Sequence, residues 1–228
     1  MKVTGRENVP RTGPVILAPN HTSFCDSFFL PFVVHRRVTF VAKAEYFDSW
    51  KTAWFFRAAG QIPMRRDGGS ASERALAAAR DVLNDGGVLG IYPEGTRSPD
   101  GKLYRGHTGV ARLALQCGVP IIPVGITGTT EVQPVGSNMM KPFKRVGIQF
   151  GKPLDLQDHD SDSIGDPLVL RRIADELMFE IRSLTEQTYV NRYAKRHDVV
   201  GGSETASIES LKPVAEVPRE DAFEVQSA

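Results

Sequence analysis

Short β-branched and apolar runs alternate with helical stretches along most of this chain, and that alternation limits its fold more than any other feature. Val15–Ala18, Val38–Ala42, Gln61–Met64, Val88–Tyr92, Pro120–Ile126 and Val146–Phe150 read as strands. Between them fall a helix opening near Ser23, a helical stretch around Asp48–Ala59, and Val110–Gln116, which stops at Gly118. An alanine-rich helix over Ala71–Leu83 is opened by Ser70 and Glu73 as a capping box. Pro167 suits a first helical position, and the amphipathic pattern after it runs to about Arg196. Strands separated by helices must be joined by crossovers and so pair in parallel. The pattern predicts one α/β domain with a central mixed, mostly parallel sheet flanked by helices.

Composition agrees with a globular body and adds a charge asymmetry. Of 228 residues, 41% are hydrophobic and 24% charged, which excludes collagen, coiled coil and wholesale disorder. Residues 198–228 hold seven acids and two bases, net −5, while residues 1–197 hold 26 bases and 20 acids, net +6. The acidic, Gly- and Ser-containing tail is expected to be disordered, and residues 1–197 to form the domain. A modestly basic body suits an anionic partner such as a phosphate or a lipid headgroup. Two cysteines, Cys25 and Cys117, make no disulfide framework. The longest apolar run, Phe28–Val34, is too short to span a bilayer, and no secretory signal is expected in the first residues.

Three turns carry polar chemistry. After the first strand comes Asn20-His21-Thr22-Ser23-Phe24-Cys25-Asp26, with a histidine and a carboxylate five residues apart where a strand gives way to a helix. A carboxylate on one imidazole nitrogen leaves the other as a general base, the base half of a hydrolase triad with no serine. The same spacing also lets Ser23 and Asp26 form a capping box, which would make Asp26 a helix cap only. Tyr92-Pro93-Glu94-Gly95-Thr96-Arg97-Ser98 joins glycine, hydroxyls and a planar guanidinium in one turn, and Glu94 there would receive substrate hydroxyls or hold the arginine. Arg65 and Arg66 close the Gly60–Met64 segment.

In this order the blocks resemble the glycerolipid acyltransferase family, whose type member is the 1-acylglycerol-3-phosphate acyltransferase. NHTSFCD matches its His-x4-Asp motif, GQIPMRR its second block, YPEGTRS its third, and Val119–Val124 its apolar fourth. The resemblance covers roughly residues 5–195. It implies that His21 deprotonates an acceptor hydroxyl, that Asp26 orients His21, and that the hydroxyl attacks the thioester of acyl-CoA or acyl carrier protein. Arg66, Glu94, Gly95, Thr96 and Arg97 would hold the phosphate and glycerol of a lysophospholipid, with Arg105 as a further basic contact. The expected product is phosphatidic acid, made from a 1- or 2-acylglycerol 3-phosphate in phospholipid biosynthesis. Other acceptors within the chemistry are a different lysolipid or a glycolipid; other classes are a lipid-binding module, or a hydrolase using water or Cys25.

The resemblance implies no cofactor and no metal. Asp158–Asp162 looks like a calcium loop, but Ser163 and Val169 stand where its glycine and glutamate belong. Phe24, Phe28, Phe29 and Phe32 read as core, with a role in walling an acyl slot as the alternative. No pattern supports nucleic-acid binding. Family members commonly enter the bilayer by helices that precede the Gly5–Pro10 segment. Here the expectation is peripheral contact at the cytoplasmic face of the cell membrane, through Trp50, Trp54 and the bases Lys51 and Arg57.

Overall fold

A computed structural model describes residues 1–43, 61–64, 69–134, 141, 144–156 and 164–194. Arg66, the Trp50/Trp54 segment, the Asp158–Asp162 loop and the 198–228 tail lie outside the described residues. The strands are β1 (Lys2–Thr4), β2 (Val15–Pro19), β3 (Val38–Lys43), β4 (Ile62–Met64), β5 (Val88–Gly90), β6 (Leu103–Tyr104), β7 (Ile121–Thr127), β8 (Gly147–Phe150) and β9 (Tyr189–Val190). The helices described are α1 (Asp26–Val33), α2 (Gly69–Asn84), α3 (Gly109–Cys117), α4 (Thr129–Val132) and α5 (Pro167–Thr185). Seven strands form one sheet in the order β1-β8-β7-β2-β5-β3-β4, and β6 and β9 form a small second sheet. Every pair in the large sheet is parallel except β7 with β8. The fold is therefore the mixed, mostly parallel α/β architecture that the alternation predicts.

β2 lies at the middle of this sheet with every residue buried. Side chains alternate between the faces of a strand. Ile16 and Ala18 thus enter a core with α2, α3 and α5, while Val15 and Leu17 enter a second core with Leu30, Val33, Phe40 and Ile122. Burial on both faces explains why β2 reads as a continuous apolar run rather than an alternating one.

Several expectations are corrected. α5 ends at Thr185, well before Arg196, because Glu186 takes a left-handed conformation (φ 57°) and its N–H caps onto the Arg182 carbonyl. The chain beyond then pairs as β9 with β6. α2 begins at Gly69, so Ser70 lies inside its first turn rather than at its boundary. α1 buries Asp26, Leu30 and Val33, whereas Phe32 is 86% exposed and Phe24, Phe28 and Phe29 are half-buried. Phe32 is therefore not core, while Phe29 packs partly buried against the second core. β1, β6, α4 and β9 were not legible in the sequence.

Candidate active site

Parallel register brings the two main turns together. Leu17 pairs with Gly90 across β2 and β5, so His21 and Glu94 each follow four residues beyond paired positions at the same carboxyl edge of the sheet. Open α/β sheets hold their ligand crevices at that edge. The Ser98 N–H donates to the His21 carbonyl at 2.7 Å and ties the two turns directly.

The local fold of the first turn is organised by Asp26. Its side chain is fully buried, and Oδ2 accepts from the Thr22 and Ser23 N–H groups, both at 2.8 Å, and meets His21 Nδ1 at 3.1 Å. Of the two readings of Asp26, the pairing with the imidazole is present, whereas α1 begins at Asp26 itself with Cys25 at its N-cap and no side-chain cap, so the carboxylate braces the preceding turn rather than capping the helix. A carboxylate oxygen that takes two amide protons can only accept from the ring, which places the His21 proton on Nδ1. Nε2 is left with its lone pair and has no hydrogen bond among the described residues. The His21 side chain is 15% exposed. Burial lowers its pKa below the usual 6.5, the Asp26 bond and charge pull it back up, and the Arg97 charge lowers it further. A neutral imidazole with an open nitrogen is what a general base requires near pH 7.

Glu94 stands apart from the role expected of it. It is 1% exposed, with Oε1 accepting from the His21 N–H at 3.0 Å and Oε2 from the Tyr104 N–H at 2.9 Å. Burial raises its pKa from 4.5 to about 7 against the pull of those two amides. Both oxygens accept from backbone and the side chain is buried, so the geometry favours a strut between the histidine turn and β6 over a group that meets substrate. Gly95 follows at φ 70°, and a Cβ there would stand 3.1 Å from the His107 ring. Gly95 and Arg97 are exposed and Thr96 half-buried, which leaves this turn open to a ligand. Arg97 lies close enough for its charge to act on His21. Arg105 follows the amide that Glu94 holds, with its guanidinium 5.4 Å from the Tyr193 ring centroid. Its Nε is buried without a hydrogen-bond partner among the described residues. The structure thus gathers His21, Asp26, Glu94, Gly95, Thr96 and Arg97 in one region, with Arg105 at its border through Tyr104.

Other residues of the same motif blocks complete the site, in roles that the sequence did not assign to them. Asn20 is buried, donating to the Ile126 carbonyl at 2.9 Å and accepting the Ile126 N–H at 2.7 Å, so it staples the turn to β7. Its Nδ2 also reaches Gln187 Oε1 at 2.9 Å, just past the end of α5. Tyr92 stacks on the His21 ring. Cys25 is buried, its Sγ directed at Gln133 Oε1 at 3.5 Å, and burial pushes the thiol pKa up, opposite to what a nucleophilic thiolate needs. Among the described residues no group of three or more His, Cys, Asp or Glu is placed to hold a metal ion.

The chain is similar to known acyltransferases in sequence and fold. The Thermotoga maritima 1-acyl-sn-glycerophosphate (LPA) acyltransferase PlsC superposes with a TM-score of 0.64 at 30% identity, over 80% of this chain and 70% of that one. A 1-acyl-sn-glycerol-3-phosphate acyltransferase of Chlamydomonas reinhardtii is 32% identical over 67% of this chain, and the chloroplastic BAT2 enzyme of Brassica napus 28% identical over 67%. The chain spans less than half the length of these two curated relatives, 46% and 44%. The family profile described as Acyltransferase matches residues 1–127, more than half of the sequence, and the chain belongs to that family.

Proposed function

We propose that the protein transfers a fatty acyl group from an acyl thioester to the free hydroxyl of a 1- or 2-acylglycerol 3-phosphate, giving phosphatidic acid. The observation that carries the reading is the His21–Asp26 pair, with Nδ1 engaged at 3.1 Å and Nε2 open at the carboxyl edge of the sheet. His21 Nε2 takes the proton of the acceptor hydroxyl as its oxygen bonds to the thioester carbon. The tetrahedral intermediate collapses with cleavage of the C–S bond, and the imidazolium returns the proton to the leaving thiolate. No residue of the chain is acylated. Acyl-CoA or acyl carrier protein serves as donor, and the reaction needs no cofactor.

Arg97, with Gly95 and Thr96 beside it, supplies the charge for the acceptor phosphate, and Arg66 and Arg105 are further candidates by the family pattern. Glu94 acts through the backbone it holds. The net +6 of residues 1–197 supports work at an anionic lipid surface, peripherally at the cytoplasmic face of the membrane. No helix among the described residues is long and apolar enough to cross a membrane.

A panel of lysolipid acceptors with acyl-CoA and acyl carrier protein donors, read by mass spectrometry, tests the assignment. Lysophosphatidic acid should be converted to phosphatidic acid, and His21→Ala should lower kcat by roughly 10²–10⁴ with little change in acceptor binding. Equal turnover of monoacylglycerol, or acyl release with no acceptor present, would overturn it.

A further inference from the structure

Tyr92 opens the third family block, yet its ring does not line an open turn. It lies against the imidazole of His21 with ring centroids 3.7 Å apart and planes within 15° of parallel. That separation is within the ~3.5–4.0 Å optimum of carbon–carbon contact, so the rings overlap with little lateral offset. Two neutral aromatic rings avoid such a face-to-face sandwich and prefer offset or edge-on packing. A cation above the electron-rich face of a tyrosine is attracted to the same place. The contact therefore fits the imidazolium better than the imidazole, and the imidazolium exists only once the base has taken its proton.

The placement of Tyr92 is built into the sheet. On its other side the Phe40 ring stacks at 5.2 Å and 23°. Phe40 pairs with Gly90 across β3 and β5, and a Cβ on Gly90 would come within 2.5 Å of the Phe40 ring. Only glycine there lets Phe40 lie across β5. The Tyr92 hydroxyl is fixed to Ser27 Oγ at 2.7 Å. Consecutive residues of α1 thus hold the imidazole twice, Asp26 at its Nδ1 edge and Ser27 through Tyr92 on its face.

We propose that Tyr92, backed by Phe40 and locked by Ser27, is a positioning residue that holds the His21 ring and stabilises its protonated form during acyl transfer. The role rests on the proposed function for its catalytic part. Among the described residues, the charged and titratable groups around His21 are Asp26 on α1, Glu94 at its backbone N–H, Arg97 in the facing turn and the Tyr92 phenol itself. None of them changes when Tyr92 becomes Phe or Leu, except the phenol.

Two measurements on the full chain test the role, and one does not depend on turnover. In the first, NMR follows the His21 ring protons through a pH titration. The wild type should show ring-current shifts from the stacked tyrosine. Tyr92→Phe should keep them, and Tyr92→Leu should lose them and titrate at lower pH by roughly half a unit or more. In the second, Tyr92→Leu should lower kcat about tenfold at plateau pH with acceptor KM unchanged, and should move the acid limb of the profile to lower pH. Tyr92→Phe, which keeps the π face but loses the Ser27 anchor, should lose clearly less kcat than Tyr92→Leu. Absence of the ring-current shifts in the wild type overturns the stack, whether or not the leucine variant folds. Equal losses in Phe and Leu, or a Leu variant whose His21 titrates as in the wild type, overturn the stabilising role. If the wild type converts no lysolipid, the proposed function fails while the titration still decides the contact.

Discussion

Replacing Glu94 with Gln separates a strut from a substrate ligand. Glutamine keeps the shape but turns one acceptor into an NH₂ donor. Either the His21 N–H or the Tyr104 N–H then faces a donor at a position that now holds a bond of 3.0 or 2.9 Å. A buried donor left without its partner costs about 1–3 kcal/mol. The substitution also removes a carboxyl group that burial holds at a pKa of about 7 instead of 4.5. Because folding raises this pKa, the native state binds the proton more tightly than the unfolded chain. The contribution is fully present below about 4.5 and is lost as the pH rises through about 7. The shift corresponds to about 3 kcal/mol between those limits, from 1.36 kcal/mol per unit. Glutamine has no such dependence, and the titration of His21 is common to both proteins and cancels in the difference.

Thermal unfolding of wild type and Glu94→Gln at pH 5.0 and 8.5 reads this directly. The variant should melt below the wild type at pH 5.0, and the gap should close or reverse at pH 8.5. The swing amounts to about 6–12 °C at ~2–4 °C per kcal/mol for a chain of this size. In turnover, a displaced His21 backbone should lower kcat by up to about 10²-fold while acceptor KM holds. A gap that does not change with pH would refute the burial argument. A raised KM with unchanged kcat would return Glu94 to the substrate contact that the sequence suggests.

Arg97→Ala should raise KM for a phosphate-bearing acceptor by roughly 10- to 100-fold, the equivalent of losing a charge-assisted contact of ~1.5–3 kcal/mol, and should leave monoacylglycerol kinetics at plateau pH unchanged. Because the Arg97 charge lowers the His21 pKa, its removal should also move the acid limb of kcat to higher pH. Asn20→Ala should destabilise the fold by about 2–4 kcal/mol in chemical denaturation, since it strands both the N–H and the carbonyl of buried Ile126; a loss below about 0.5 kcal/mol would show that water replaces the staple. Co-sedimentation with vesicles should require anionic lipid, weaken with salt, and fall in a folded Trp50→Ala/Trp54→Ala variant, and binding indifferent to lipid charge would refute the peripheral contact.

The sheet was legible where burial on both faces makes a strand a continuous apolar run, as in β2 and β7, and where a helix separates it from the next strand. It was not legible where pairing alone makes the strand. Lys2-Val3-Thr4 has two polar side chains out of three and becomes β1 because β8 offers it a parallel partner from Gly147 to Gln149. The pair β6 and β9 is two residues long on each side and joins segments 86 residues apart, as Leu103 and Tyr189 show. Its formation also explains the error over α5, whose amphipathic pattern continues past Thr185 while the left-handed Glu186 turns the chain away.

In the site, local chemistry was readable and long-range chemistry was not. His21 and Asp26 are five residues apart, so spacing alone brings both onto one turn. The groups that hold this turn come from 65 to 167 residues away, from Tyr92 against Ser27 to Gln187 against Asn20. Only the tertiary fold, chiefly the register of parallel strands, converts those separations into contact. Glu94 shows the limit most clearly. A carboxylate beside glycine, threonine and arginine in an exposed turn suggests a ligand group, but the amides of His21 and Tyr104 both point into the space beneath that turn and need an acceptor there. A buried amide without a partner would cost as much as the fold gains from several good contacts. The same side chain that marks the motif is thereby drawn inward to build the loop, and the open chemistry passes to its neighbours Gly95, Thr96 and Arg97.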